Sequence, residues 1–121
     1  MPAAEDDPTA FLPLSPPVFH VMVSLADRDR HGYAIIKEVA ERTGGAQRLG
    51  AGTLYAILKR LLDDGLIAEV PGAHAEADDQ RRRYYRLTPL GRRVARVEVD
   101  RLERAVASAR SSRLFGRTRS A

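Results

Sequence analysis

Apolar residues recur along this chain with two different periods, and the switch between them outlines a fold. Val18-Phe19-His20-Val21-Met22-Val23-Ser24-Leu25-Ala26 is apolar on most sides, which predicts a first helix lying in the core. Ser15 is placed to cap it, and Pro16 and Pro17 fall in a first turn where missing N–H groups cost little. Asp27 to Arg30 reads as the following turn. His31-Gly32-Tyr33 opens a second helix, with Tyr33, Ile36, Val39 and Ala40 on one stripe and Lys37, Glu38, Glu41 and Arg42 elsewhere. Gly44-Gly45 ends it, since glycine readily takes the left-handed conformation past a helix end. On a wheel of ~100° per residue, a third helix gathers Leu54, Ile57, Leu58, Leu61 and Leu62 on one side before Gly65 stops it.

Beyond Gly65 the pattern changes to that of strands. Leu66 to Val70 reads as one strand, Pro71-Gly72 breaks it, and Ala73 to Gln80 form a loop too long for a tight hairpin. Arg83-Tyr84-Tyr85-Arg86-Leu87 returns as its partner, with aromatic residues suited to a pleated surface. Thr88 then caps a final helix carrying Pro89 in its first turn and running to about Arg110. The order predicts a winged helix-turn-helix: mainly α with a small two-stranded antiparallel hairpin, plus a long C-terminal dimerisation helix. Residues 1–12 are expected to be a disordered arm, 13–88 the DNA-binding domain, 89–110 the dimerisation helix, and 111–121 a basic flexible tail.

The outward face of the third helix carries the candidate chemistry. Opposite its leucines lie Gly52, Ala56, Lys59 and Asp63, flanked by Thr53 and Arg60, with Tyr55 on the boundary. Small residues at a helix start let it approach a sugar-phosphate backbone closely, and the positive dipole end favours phosphate. Ala56 is suited to a thymine methyl, and Lys59 or Arg60 to guanine edges or phosphates. Asp63 repels backbone phosphate, so contact should fade toward the helix end. Arg81, Arg82 and Arg83 stand where the hairpin returns, whereas the loop tip is acidic (Glu76, Asp78, Asp79). Contact is therefore expected at the base of the wing.

Charge sharpens this picture. The net charge of +4 combines seven Lys/Arg against thirteen Asp/Glu in residues 1–79 with thirteen Arg against three acids in residues 80–121. A basic segment of that size attracts polyanions. No cysteine is present, which excludes a disulfide framework and thiolate chemistry. No apolar run approaches the ~20 residues of a membrane span, and the acidic start lacks the layout of a signal peptide, so a cytoplasmic protein is expected. His20, His31 and His74 share no metal-ligand spacing, and no carboxylate pair accompanies them. Neither catalysis nor a cofactor is expected. The rival reading is a winged helix serving only protein–protein interaction, which would make the outward face of the third helix apolar.

The last helix has two apolar stripes. Leu90, Val94 and Val97 are expected to complete the core, while Ala95, Val99, Leu102, Val106 and Ala109 repeat in heptad fashion and predict a subunit interface. Phe19 and Met22 are expected to add to it, and Phe19, Met22, Val99 and Leu102 to line an effector pocket.

At His31-Gly32-Tyr33, Gly52-Thr53-Leu54-Tyr55, Lys59-Arg60-Leu61, Asp64-Gly65-Leu66-Ile67, Arg83-Tyr84-Tyr85-Arg86-Leu87-Thr88 and Gly91, the sequence resembles the short members of the PadR family of bacterial transcriptional regulators. The match covers about residues 14–110, with the fragments in order. The resemblance implies a homodimer on double-stranded DNA, usually a repressor, joined through its C-terminal helix. It assigns DNA contacts to Thr53, Tyr55 and Lys59 and to the arginines of the returning strand. Some short relatives bind planar drugs between tryptophans at the dimer centre; this chain contains no tryptophan, so it departs from that pattern.

Overall fold

Each helix begins at a residue whose chemistry sets its start. In the computed structural model, which describes residues 7–71 and 83–116, helix α1 spans Pro16–Ser24 and α2 spans Gly32–Arg42. Helix α3 spans Ala51–Asp63 and α4 spans Pro89–Arg110. The Ser15 hydroxyl accepts from the Val18 amide at 3.5 Å, and His31 Nδ1 accepts from the Ala34 amide at 3.2 Å. The Thr88 hydroxyl accepts from the Gly91 amide at 3.0 Å. Only α3 starts without a side-chain cap, at Gly50. Gly45 (φ 88°) and Gly65 (φ 75°) take the left-handed conformation that ends α2 and α3, and the Gly45 amide reaches back to the Ala40 carbonyl at 2.8 Å. Two arginines finish α1: Arg30 donates to the Ser24 carbonyl at 2.6 Å and Arg92 to the Ala26 carbonyl at 3.2 Å.

The sheet has three strands where the sequence predicts two. Strands β2 (Ile67–Val70) and β3 (Tyr84–Leu87) form the expected antiparallel pair, with Ile67 opposite Leu87 and Val70 opposite Tyr84. Arg30–His31, read as the end of a turn and a helix start, instead forms a short strand β1. It pairs with the other edge of β3, placing His31 opposite Tyr84 in the order β1-β3-β2. One strand thus ties the start of α2 to the base of the wing.

Helix α1 packs on α2 and α4, α2 on α3, and α3 on β2. Met22, Ile35, Leu54, Leu58, Leu66 and Val94 lie at the centre, each at most 1% exposed. Removing such a side chain from water stabilises the fold by roughly 1.5–3 kcal/mol. Helix α4 leaves the domain from a fixed hinge: the Thr88 hydroxyl donates to the Gly65 carbonyl at 2.7 Å, and the Thr88 amide to the Leu66 carbonyl at 3.1 Å.

Part of the N-terminal segment differs from a free arm. Pro8–Phe11 forms one 3-10 turn, capped by Asp7 and lying against α4. Phe11, Leu12 and Leu14 pack on the core edge. The Leu14 amide donates to the carboxylate of Glu98 at 3.0 Å, and Arg101 donates to the same carboxylate at 2.6 and 2.9 Å. Glu98 is 1% exposed, a buried charge compensated by the hydrogen bonds from the Leu14 amide and Arg101. The Arg101 hydrogen bond holds its carboxyl below the ordinary glutamate value, against the opposing effect of burial, with the Leu14 amide assisting.

Candidate nucleic-acid interface

The outward face of α3 is set by its apolar side. Leu54, Leu58 and Leu61 are buried, and Ile57 and Leu62 pack partly against the core, so their opposites turn to solvent. Gly52, Thr53, Ala56, Lys59 and Arg60 are all exposed. Tyr55 is 50% exposed at the edge nearest α2, where its hydroxyl lies directly over Gly32. A Cβ built on Gly32 would overlap that hydroxyl. A side chain at this position would press on the Tyr55 hydroxyl, so the two motif fragments that contain them form one contact.

Four cations of α3 and the wing strand have acidic neighbours. Lys59 Nζ sits 3.2 Å from Asp63, and Arg60 Nε 3.9 Å from Asp64, one helical turn on. Arg83 pairs with Glu69 of the adjacent strand at 3.0 Å. Arg86 grips Asp29 through two hydrogen bonds of 3.0 and 2.9 Å, which raise its pKa above the ordinary arginine value. Arg83 stands at the base of the wing next to Tyr84. Arg81 and Arg82, with the acidic loop tip, lie outside the described residues.

An aromatic strip runs from the start of α2 across β1 to β3, and sequence periodicity did not anticipate it. Tyr33, expected on the inner stripe of α2, is 70% exposed; Val39 fills the core as expected, and Ile35 takes the place beside it. Its ring lies parallel to that of His31, with centroids 6.5 Å apart and planes 13° apart. His31 in turn meets Tyr84 edge-on at 5.3 Å. On the inner side of the same strand Tyr85 is buried, and burial, aided by the charge of Glu69, raises its phenol pKa. No signal in the local pattern marks Tyr33 as exposed, because a tyrosine at that spacing fits a packed stripe equally well.

On the far side of the domain, Phe19, Val99, Leu102, Glu103, Val106 and Ala107 line an open, nearly wholly apolar groove of about 370 Å³ along α4. Val99, Leu102 and Val106 are 39%, 37% and 56% exposed. Met22 does not join them. It is fully buried, because α1 turns that side toward the core, and it offers no surface to a partner or ligand. Ala95 packs partly on the core edge. Ala109 is half-buried where the chain folds back after α4, with the Arg110 guanidinium 4.8 Å over the Phe115 ring. Among the described residues no three His, Asp or Glu side chains gather as a metal site, and no helix is long and apolar enough to cross a membrane.

The sequence profile described as the transcriptional regulator PadR-like family matches residues 21–97. The chain is 36% identical over 73 residues to the transcriptional regulator Rv3488 of Mycobacterium tuberculosis, covering 60% of this chain and 63% of that protein. An uncharacterized protein of Lysinibacillus sphaericus is 35% identical over 68 residues, covering 56% of this chain and 61% of that protein. The matched region thus spans about three fifths of the length of these curated relatives. Among solved structures, a PadR family transcription regulator from Clostridium difficile superposes with a TM-score of 0.64 at 27% identity, covering 84% of this chain and all of that one. Bacillus subtilis PadR, solved in complex with operator DNA, shares the fold with a TM-score of 0.59 at 21% identity, covering 68% and 46%.

Proposed function

Because the chain belongs to the transcriptional regulator PadR-like family, we propose that it binds double-stranded DNA in a sequence-specific way and represses transcription as a homodimer. The observation that carries this reading is the outward face of α3. Its first turn is small, with Gly52, Thr53 and Ala56, and its middle is cationic, with Lys59 and Arg60, all exposed on a helix held by its leucines. An interaction module without DNA binding would place apolar side chains there. In the proposed complex α3 enters the major groove, while Arg83 and the neighbouring Arg81 and Arg82 hold the flanking backbone.

The second copy is proposed to cover the groove on α4 around Val99, Leu102 and Val106, with Phe19 at its margin. A two-fold pair would carry its reading helices to successive turns of the duplex, ~34–36 Å apart, and so require an inverted repeat. An effector lodging among Phe19, Val99 and Leu102 would act on that interface and change the separation of the helices. Sequencing genomic fragments retained by the purified protein tests the reading. A recurring inverted repeat is the expected result, and recovery of no enriched sequence by a folded protein overturns it.

A further inference from the structure

Tyr33 presents a whole phenol ring to solvent at the junction of the two helices and the wing. It is the second residue of α2, adjacent to Gly32, over which the Tyr55 hydroxyl lies. The ring is not loose. It lies parallel to His31, which is fixed by capping α2 through the Ala34 amide and by pairing with Tyr84 across the sheet. The strip Tyr33–His31–Tyr84 then ends beside Arg83.

Resting on the DNA-binding reading above, we propose that Tyr33 is a further DNA contact, its hydroxyl donating to a backbone phosphate on the strand that runs between the reading helix and the wing. Three features point to a phosphate and not to a base. The residue follows Gly32, the residue under the Tyr55 hydroxyl, and so borders the first turn of α3, where a duplex seated on the Gly52–Ala56 face would present its backbone. A phenol offers one directional O–H donor on a side chain with few rotatable bonds, which fixes register along the duplex. The contacts of the strip are ring to ring, Tyr33 on His31 and His31 on Tyr84, whereas Lys59, Arg60 and Arg83 each have an acid beside them. Tyr33 would thus supply orientation without adding to the charge that draws the protein to any polyanion.

The test uses the full chain and a fragment recovered by genomic selection, with affinity measured by fluorescence anisotropy across a salt series. Tyr33→Phe removes only the hydroxyl and is expected to weaken binding about tenfold, the scale of a hydrogen bond to a charged group. Its salt slope should match the wild type, because a neutral donor releases no counterion. Lys59→Ala should weaken binding and lower the slope by about one. Neutral methylphosphonate linkages, placed one at a time along the fragment, should weaken the wild type at a position where Tyr33→Phe is insensitive. Wild-type affinity in Tyr33→Phe, for DNA that Lys59→Ala binds poorly, would overturn the Tyr33 contact and leave the DNA-binding reading standing. Equal sensitivity of both proteins at every linkage would do the same. Failure of the wild type to bind any fragment would overturn the DNA-binding reading and this contact together.

Discussion

The hydroxyl of Tyr55 occupies the space that a side chain on Gly32 would fill, so the start of α2 and the first turn of α3 meet through this pair. Because Tyr55 is half-exposed and its ring end is free to swing outward, crowding at Gly32 is relieved by moving the tyrosine and not by unfolding. Gly32→Ala should therefore lower DNA affinity while changing stability by less than about 1 kcal/mol. In a Tyr55→Ala background the same substitution should cost no further affinity. Gel shifts on the four combinations check this, and additive losses would dissociate the two residues.

Gly91 poses the opposite case. A Cβ there would meet the Leu66 carbonyl, a backbone atom in the turn that α4 is pinned to through Thr88, and nothing nearby can swing aside. Gly91→Ala should destabilise the fold by about 2–3 kcal/mol, read as a fall in the urea midpoint. An unchanged midpoint would mean that the hinge of α4 yields easily.

Glu98 makes stability depend on acid. Its carboxyl titrates below the ordinary value in the folded chain, so its contribution is fully present above about pH 4.3, the unfolded value, and is lost as pH falls through the lower folded value. Glu98→Gln keeps an acceptor for the Leu14 amide but loses the charged pairing with Arg101. The variant should be less stable than the wild type at pH 7, with the gap closing below pH 4. Urea midpoints at both pH values decide it; a gap that stays constant would remove ionised Glu98 from the account.

The groove on α4 gives a prediction about assembly. Leu102 and Val106 are exposed, so replacing both with aspartate should leave the protomer folded. Light scattering on Leu102→Asp with Val106→Asp should then report a monomer with a wild-type helical circular dichroism spectrum. Persistent dimers would move the interface elsewhere.

Much of this architecture was legible from residue spacing because it is made by local chemistry. Ser15 and Thr88 cap helices for the same reason anywhere in a chain, Gly45 and Gly65 end them by their backbone freedom, and the leucine side of α3 fixes what lies opposite. The features that were not legible depend on distant partners. Arg30–His31 is too short to show a two-residue period, and becomes a strand only because β3 has a vacant edge. Glu98 stands among charged neighbours on α4, and nothing local marks it for burial beneath the segment that carries Leu14. Helix α1 is apolar on most sides, so its sequence did not decide between a core and an interface for Met22. Tyr33 failed in the other direction, as an aromatic residue at a packing interval that stands in water.

The pairing of Lys59, Arg60 and Arg83 with Asp63, Asp64 and Glu69 carries a consequence for how such a protein would search a chromosome. An incoming phosphate must first displace a carboxylate, and exposed ion pairs resist by about 0.5 kcal/mol each. Three of them would shorten residence on arbitrary sequence by about tenfold per protomer. In the proposed complex only a site that repays this through base-edge complementarity would retain the protein, so these acids would act as a threshold against idle adhesion and leave most copies free to sample.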